Sequence, residues 1–598
     1  MKKRLPVCRA VLWLALCVAA VAGASPAPQP TAASVALGRL VEGYWQAHLR
    51  LRPLHATLLA DHRYDADLPN SIGSAHLARE YALEKRALAA LGGINVAALS
   101  ARDRLTFDAF RWDRQLEIEG FRYPAELLPL SSTGGMPGLM AQFGSGAGAQ
   151  PFASVRDYNN WLRRLDGYVI WLDQVITNLR RGLSRGYVLP RTVVERMLPP
   201  IHAVTAVPVA QSLFMRPVNS FPAAVPPAEQ ARLRAAYRAA VIERVNPAYR
   251  RLYEFLREEY LPRARASVAW SDLPQGRAWY AYKVRRATTT ALTPEQIHRL
   301  GLDEVRRLGA EVDRLGAELG LRGERRAFGE AMRADPHAYY DNEDEFVAGY
   351  EAVKSRVRAR LGELIELPTA DFEIRALDSA RSAGASPLSF RPASADGVRV
   401  AILYVNTAEL KVRPKYEIDA FYLREVEPGK LLQVSVQRQA GDLPSFRRYG
   451  GYFAYSEGWG AYAQSLGREL GVYVAGASAL SATSAELLRA ARMVVDTGMH
   501  AQGWTRQQAL DYLLANCVLA PGEAATELDR VIANPAQSLA YGVGALDLRE
   551  LRFKASRALG AHFDVKAFHR ELLIHGPLPL EVLEADVARW LAERGAAP

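Results

Sequence analysis

The sequence has little cysteine and no dense basic cluster, and each shortage excludes a class of protein. Of its three cysteines, two lie in the first 24 residues, so removal of that segment would leave Cys517 with no cysteine to pair with. The net charge of +11 comes from arginines that are spread among acidic residues, without a Lys/Arg run interleaved with aromatic residues. We therefore expect no internal disulfide and no nucleic-acid partner.

A long apolar run is also missing, which argues against a membrane span. The apolar stretch near the N-terminus, residues 10–21, is shorter than the roughly 20 residues that cross a bilayer. Basic residues precede it and Ala22-Gly23-Ala24 follows it, which is the pattern of a secretory signal with its cleavage site. We predict a signal peptide over residues 1–24, no stable membrane span and an exported, periplasmic protein. A retained N-terminal anchor is the alternative.

Helical periodicity dominates the rest of the chain and predicts a mainly α fold. Apolar residues recur at three- and four-residue spacing over 35–125, 152–185, 226–265 and 293–320. Thr293 and Thr505 each begin a capping-box sequence, in which a hydroxyl caps the helix and a glutamine three residues later reaches back.

Strand signals are few, and they predict one small β-sheet. Residues 371–377 and 398–406 are short, β-branched segments bounded by turn residues. An edge strand of such a sheet is either a surface that binds an extended peptide or part of a structural hairpin. We predict two lobes, with an N-terminal helical half over residues 25–270 and a C-terminal half over residues 271–598.

The segment from Arg424 to Lys430 reads Arg-Glu-Val-Glu-Pro-Gly-Lys. On a regular helix its two ends are about 120° apart. Pro428-Gly429 removes a backbone donor and relaxes the backbone, so a distortion there would bring Arg424, Glu425 and Lys430 to one place. The alternative is a helix that simply ends at Pro428.

Further polar residues follow on predicted helices. Glu457 is flanked by small residues that allow another helix to come close. Arg489, Arg492, Asp496 and His500 form one stripe, at spacings of three, four and four, on an otherwise apolar helix. We expect this stripe to line a cleft, with Arg492 paired to Asp496, and a solvated face is the alternative.

These segments, taken in order, resemble the bacterial domain-of-unknown-function 885 family, mostly helical proteins related to zinc metallopeptidases. The resemblance extends over nearly the whole chain after the signal segment. It includes Glu457-Gly458-Trp459, the stripe ending at His500, and a later segment with Gln537, Tyr541 and Gly544. It implies that both halves form one family domain, with the small sheet beside a deep cleft and with Gln537 in the polar network of that cleft.

In the family, the motif His-Glu-x-x-Pro-Gly-His supplies two zinc ligands and a general base, and a downstream glutamate is the third ligand. The resemblance places Arg424 and Lys430 at the histidine positions, and Glu457 at the third ligand. It gives catalytic positions to three further residues: Glu425 as base, and His500 and Tyr541 as groups that stabilise an oxyanion.

The exchange of both histidines removes the zinc chemistry. Arginine and lysine cations offer no lone pair to a metal, so we expect no zinc or other cofactor and no metal site, including near His569 and His575. Arg424 and Lys430 together balance the charges of Glu425 and Glu457. We interpret the two cations as an electrostatic substitute for the metal, because uncompensated buried carboxylates are costly.

The sequence therefore predicts an exported, catalytically degenerate metallopeptidase-like protein, a pseudoenzyme. It would bind a peptide-like ligand or a partner protein in the former active-site cleft. The alternative is an active hydrolase of the same family, in which a neutral Lys430 amine serves as base or nucleophile or a non-standard metal site is used. A purely structural protein is a third class, and the sequence leaves the oligomeric state open.

Overall fold

The computed structural model describes residues 30–146, 148–367, 371–377, 386–391, 400–473 and 476–595. The predicted signal peptide over residues 1–24 lies outside the described residues. Within them the protein is mainly helical, as the periodicity predicts. None of the described helices combines the length and the apolar character that crossing a membrane requires.

The first part of the chain is entirely helical apart from its connections. The predicted periodic segments form long helices because their apolar faces are buried. The α-helices of this part are Ala32–Leu51, Pro53–Leu58, Ser74–Leu91, Ala101–Gly120, Met136–Gly144, Val155–Arg185, Arg191–Ala206, Pro227–Ala240 and Asn246–Glu254.

The second part adds the helices that carry the candidate site. The predicted capping boxes form at Thr293 and Thr505 and start the helices Pro294–Glu318 and Arg506–Asn516. The other α-helices are Gly276–Thr288, Arg325–Ala334, Glu343–Leu361, Ile418–Glu425, Lys430–Gln439, Ser445–Tyr449, Phe453–Ser465, Gly476–His500, Pro521–Ala533, Leu539–Leu559, Val565–Ile574 and Leu580–Glu593.

The small sheet has three strands, of which the sequence predicted two. Strand β1 is Phe372–Ala376, β2 is Leu388–Arg391 and β3 is Ala401–Val405. The order is β1-β3-β2, with β1 parallel and β2 antiparallel to the central β3. Strand β2 has only four residues and no fully buried position, so its apolar–polar alternation is too short to reveal a strand.

Two large apolar cores include residues of the helices around the candidate site. One contains Trp161 and takes in Leu487 and Val494 from the helix Gly476–His500. The other contains Trp459, Tyr422 and the inner residues of the sheet. Residues from both predicted halves contribute to the first core, and the division at residue 270 stays a prediction.

Two glycines allow the helices Phe453–Ser465 and Leu539–Leu559 to touch. A Cβ atom on Gly458 would lie 2.6 Å from the Cα atom of Gly544, and a Cβ on Gly544 would lie 2.1 Å from the carbonyl oxygen of Ala454. Real Cβ atoms do not approach other atoms so closely. The small residues beside Glu457 therefore serve close helix packing, as the sequence predicts.

Candidate functional site

The motif at residues 424–430 is a break between two helices. The helix Ile418–Glu425 ends, residues 426–429 leave the helical path through a cis Glu427-Pro428 peptide, and the helix Lys430–Gln439 begins. A Cβ atom on Gly429 would lie 2.0 Å from the carbonyl oxygen of Arg424. This close approach requires glycine, and it brings the two helix ends together.

Trp459 holds the break in place. Its indole Nε1 donates to the carbonyl oxygen of Pro428 at 2.9 Å, and the side chain is fully buried. Trp459 is on the same helix as Glu457, so this hydrogen bond also fixes where Glu457 lies relative to the motif. The Pro-Gly and Gly-Trp segments are therefore one structural unit.

Glu427, within the break, is a buried carboxylate that the sequence analysis missed. Arg358 donates to both of its oxygens at 3.0 Å, and the Tyr422 hydroxyl donates to it at 3.1 Å. Burial raises the pKa of Tyr422, and the Glu427 carboxylate raises it further. Arg358 lies far away in sequence and has no helical spacing to Glu427, so no local pattern marks this pair.

Four charged side chains converge at the break. Lys430 Nζ lies 2.8 Å from Glu425 Oε2 and 3.1 Å from Glu457 Oε1. Arg424 Nη2 lies 3.3 Å from Glu425 Oε1 and 3.3 Å from Glu457 Oε2. Each cation therefore contacts both carboxylates, and the four charges sum to zero. We call these four residues the ion network.

The ion network is largely shielded from solvent. Its side chains are between 12% and 25% exposed, with Glu457 the least exposed. Coulombic attraction at such positions is stronger than at an open surface. The residues do not fit a zinc ion, because Arg424 and Lys430 have no lone pair to donate and Glu457 alone is not a catalytic zinc site.

Tyr541 packs against the ion network. The Arg424 guanidinium carbon lies 5.6 Å from the centre of the Tyr541 ring, within the range of a cation–π contact. The Tyr541 hydroxyl accepts a hydrogen bond from Arg530 Nη2 at 3.2 Å. The structure therefore brings five of the predicted site residues together: Arg424, Glu425, Lys430, Glu457 and Tyr541.

Asp496 belongs to a different, fully buried cluster. It accepts hydrogen bonds from the Tyr280 hydroxyl at 2.6 Å, the Ala536 backbone at 3.0 Å and the Ser538 hydroxyl at 2.7 Å. Burial raises the pKa of Asp496 to about 6, and these hydrogen bonds oppose the shift. Asp496 thereby anchors the turn that precedes the helix carrying Tyr541.

The predicted pairing of Arg492 with Asp496 is wrong. Arg492 Nε donates instead to Glu527 Oε2 at 2.9 Å. Asp496 is completely buried among neutral donors, whereas Arg492 remains partly exposed and reaches toward the next helix. Helical spacing places the two residues on one side of the helix, but each side chain binds residues of other segments instead.

The remaining predicted residues do not form one network. Arg489 is buried and donates to Gln464 Oε1 at 3.0 Å. Gln537 is exposed, in the turn before the helix Leu539–Leu559. His500 is completely buried, and its Nε2 donates to the Val531 carbonyl at 3.3 Å.

Replacing His500 tests its buried, neutral state. Burial lowers the pKa of His500 to about 3, so the folded protein resists protonation that the unfolded chain accepts. The unfolded state then binds more protons below pH 6.5, and stability falls as pH falls through that window. Between pH 7 and pH 5 we expect the free energy of unfolding to fall by about 2 kcal/mol more in wild type than in His500→Gln, as measured by denaturant unfolding.

The exposed His337 provides the control for this comparison. The variant His337→Gln should lose as much stability on acidification as wild type does. An identical loss in wild type and His500→Gln would mean that His500 is not held neutral.

One other group of potential metal ligands occurs in the described residues. Ligand atoms of Glu571, His575 and Asp586 lie within 4.8 Å of one another. His575 contacts Glu571 at 3.1 Å and Asp586 accepts from Arg589 at 2.9 Å, so these side chains also pair locally. His569 is engaged through both ring nitrogens, with Leu364 and Tyr462.

Comparison with known proteins identifies the family. A family model described as bacterial protein of unknown function, DUF885, matches residues 53–587. A candidate lipoprotein from Colwellia psychrerythraea has the same fold, with a TM-score of 0.82 at 23% identity over 94% of this chain and 100% of that one. A candidate lipoprotein of unknown function from Shewanella oneidensis gives a TM-score of 0.72 at 16% identity, over 92% of this chain and 99% of that one. No match occurs among curated proteins. The match over most of the chain places this protein in the DUF885 family of bacterial proteins of unknown function.

Proposed function

We propose that this protein is an exported, catalytically degenerate member of a metallopeptidase-like fold. It binds a peptide-like ligand or a partner protein in the former active-site cleft. The ion network is the observation that carries the proposal. Two cations occupy the positions where the family resemblance places zinc-binding histidines, and each contacts both carboxylates of the site.

The charge balance explains how such a site persists without a metal. Two carboxylates packed together with little solvent repel each other and lose hydration. Arg424 and Lys430 neutralise both charges, and their alkyl stems fill space beside Gly460, where a Cβ atom would lie 3.1 Å from Lys430 Cγ. The network therefore supports a structural role for cations at a centre that once needed a metal.

The ion pairs also argue against acid–base chemistry at this site. Glu425, at the position of the general base, contacts Lys430 and Arg424. Lys430 Nζ is held between two carboxylates, whereas a lysine nucleophile or base needs a free, neutral amine. These contacts favour a binding protein over the alternative of a metal-independent hydrolase.

A cavity beside the ion network supports ligand binding. Arg424 lines it together with apolar residues, and its volume is about 440 Å³. Small-molecule sites commonly have volumes of this order, with mostly apolar walls and a few polar groups. A few side chains of a short peptide would fit such a space.

A combined binding and cleavage assay tests the proposal. We expect mixed short peptides to raise the Tm of the purified protein, with no hydrolysis of the same peptides and no effect of a chelator. Hydrolysis that survives the chelator would establish the metal-independent hydrolase, and hydrolysis that the chelator abolishes would establish a metal enzyme. No Tm shift and no hydrolysis would indicate a structural protein. The variant Lys411→Met, at an exposed ion pair with Asp341, should behave as wild type.

A further inference from the structure

The cavity beside the ion network contains a buried cation that forms no salt bridge with the described residues. Arg489 lines the cavity, is 6% exposed, and forms one hydrogen bond with the described residues, to the neutral side-chain oxygen of Gln464. A guanidinium has five N–H donors. Most of its hydrogen-bonding capacity is therefore unmatched by the described part of the chain. Glu486, an acidic residue whose charge acts on Arg489, pairs with Arg468 at 3.0 Å.

The other arginines that line this cavity have different kinds of partner. Arg424 is paired with the carboxylates of the ion network, and Arg333 lies 3.5 Å from Glu523. Arg413 donates to the backbone carbonyl of Asn406 at 2.6 Å and is less buried than Arg489. Arg489 is thus the most buried of the four and the one whose partner is a neutral side chain.

Two further polar atoms at the same cavity are buried and unpartnered. The Ser484 hydroxyl, one helical turn before Leu488, has no hydrogen-bond partner among the described residues, and neither has Arg424 Nε. Unpartnered buried polar atoms are uncommon and costly in proteins. Neither atom is itself open to the cavity, so the Ser484 hydroxyl would have to rotate before it could donate to a ligand beside Arg489.

The charge of the lining favours an anion. Arg489 remains a cation at neutral pH, because burial and the neighbouring Arg424 lower its pKa only to about 10. Glu417 is the acidic residue of this lining, and burial and the neighbouring Glu523 raise its pKa to about 7, so that part of its negative charge is absent at neutral pH. A buried cation without a counter-ion is unfavourable, and an anionic ligand would relieve that cost.

The rest of the cavity wall is mostly apolar, which favours an apolar body for the ligand. Phe421 and Leu488 line the cavity from the helices Ile418–Glu425 and Gly476–His500. Gln464, which orients Arg489, is on the helix that also carries Glu457. The cavity therefore combines an apolar surface with a cationic corner next to the ion network.

We propose that this cavity binds a carboxylate on an apolar body, with the carboxylate at Arg489 and Ser484 and the apolar part along Phe421 and Leu488. The inference rests on the proposed function, whose ligand it specifies. A peptide with a free C-terminal carboxylate and an apolar last residue has this chemistry, and so has a medium-chain fatty acid.

The test compares acids with neutral analogues on the wild-type protein. The probes are N-acetyl-Leu-Phe and its C-terminal amide, and decanoate and decanol, each titrated by calorimetry. We expect at least one of the acids to bind about ten-fold or more tightly than its neutral analogue, since charge-assisted bonds to arginine would be lost. Binding of the peptide acid only, or of decanoate only, identifies the source of the carboxylate.

A variant pair then assigns the effect to Arg489. Arg489→Met should abolish the preference for acids while it unfolds within about 5 °C of wild type, because removal of an unpaired buried charge offsets the lost hydrogen bond to Gln464. Arg489→Lys, which keeps the charge, should retain part of the preference.

Two results overturn the inference. One is equal binding of acid and neutral analogues, which leaves peptide binding, and with it the proposed function, intact. The other is an unchanged acid preference in Arg489→Met. Absence of binding by every probe would count against both the inference and the proposed peptide ligand.

Discussion

The double variant Arg424→Met/Lys430→Met should lose about 2–4 kcal/mol of unfolding free energy at pH 7. Methionine keeps much of the side-chain volume and removes both positive charges. Glu425 and Glu457 are then left as two carboxylates that are at most 21% exposed and have lost both cationic partners. Removing the partners of largely buried charges is strongly destabilising, and partial exposure keeps the loss below that of a fully buried pair.

A control variant and a rescue variant test whether the loss comes from the ion network. Lys411→Met removes a cation from an exposed pair with Asp341 and should change stability by less than about 0.5 kcal/mol. Adding Glu425→Gln and Glu457→Gln to the double variant removes the stranded negative charges and should restore most of the loss. Equal stability of wild type and the double variant in urea unfolding would show that the cations do not compensate the carboxylates.

The variant Arg424→His/Lys430→His should bind about one zinc ion per chain. Two imidazoles would then join Glu457 at the place where the ion network converges, which recreates a two-histidine, one-glutamate donor set. Because zinc would bind the folded state alone, zinc at 100 times its dissociation constant should raise stability by about 2.7 kcal/mol. The measurement is zinc stoichiometry by elemental analysis together with the Tm in zinc and in chelator.

A variant that also lacks the Glu457 carboxylate is the matched control for zinc binding. The triple variant Arg424→His/Lys430→His/Glu457→Gln should bind zinc far more weakly, because two imidazoles alone do not complete the site. If the double variant folds and takes up no zinc, or if the triple variant takes up as much, these positions do not form the metal site that the resemblance implies.

The helical architecture was predictable, because amphipathic periodicity and capping boxes are local signals. Thr293 and Thr505 start helices where the sequence places them. The small sheet was predicted from β1 and β3, whose buried residues alternate or run together, whereas the short and half-exposed β2 was not. Their apolar–polar alternation is too short to predict a strand, and pairing with β3 makes them one.

The convergence of the ion network was predictable for a different reason. Pro428-Gly429 marks a break in the backbone, and the resemblance to a known family orders Glu457 and Tyr541 around it. The partners of the buried polar groups were not predictable. Arg358 with Glu427 and Arg492 with Glu527 join residues that are far apart in sequence, so only the packing of helices decides them.

Backbone contacts of the break fix the shape of the site. Gly429 meets the carbonyl of Arg424, and Trp459 binds the carbonyl of Pro428, through backbone atoms alone. Neither contact depends on what residues 424 and 430 carry. The same backbone frame would therefore accept histidines at residues 424 and 430, the residues that the family resemblance implies at these positions.

The zinc content of the wild-type protein shows whether Arg424 and Lys430 stand in for a metal. The protein is expressed with zinc in the medium, dialysed without chelator and measured by elemental analysis beside the double-histidine variant. We expect zinc well below one ion per chain in wild type, because the Arg424 and Lys430 cations have no lone pair for the metal and already neutralise Glu425 and Glu457. About one zinc per wild-type chain, lost on Glu457→Gln, would contradict it.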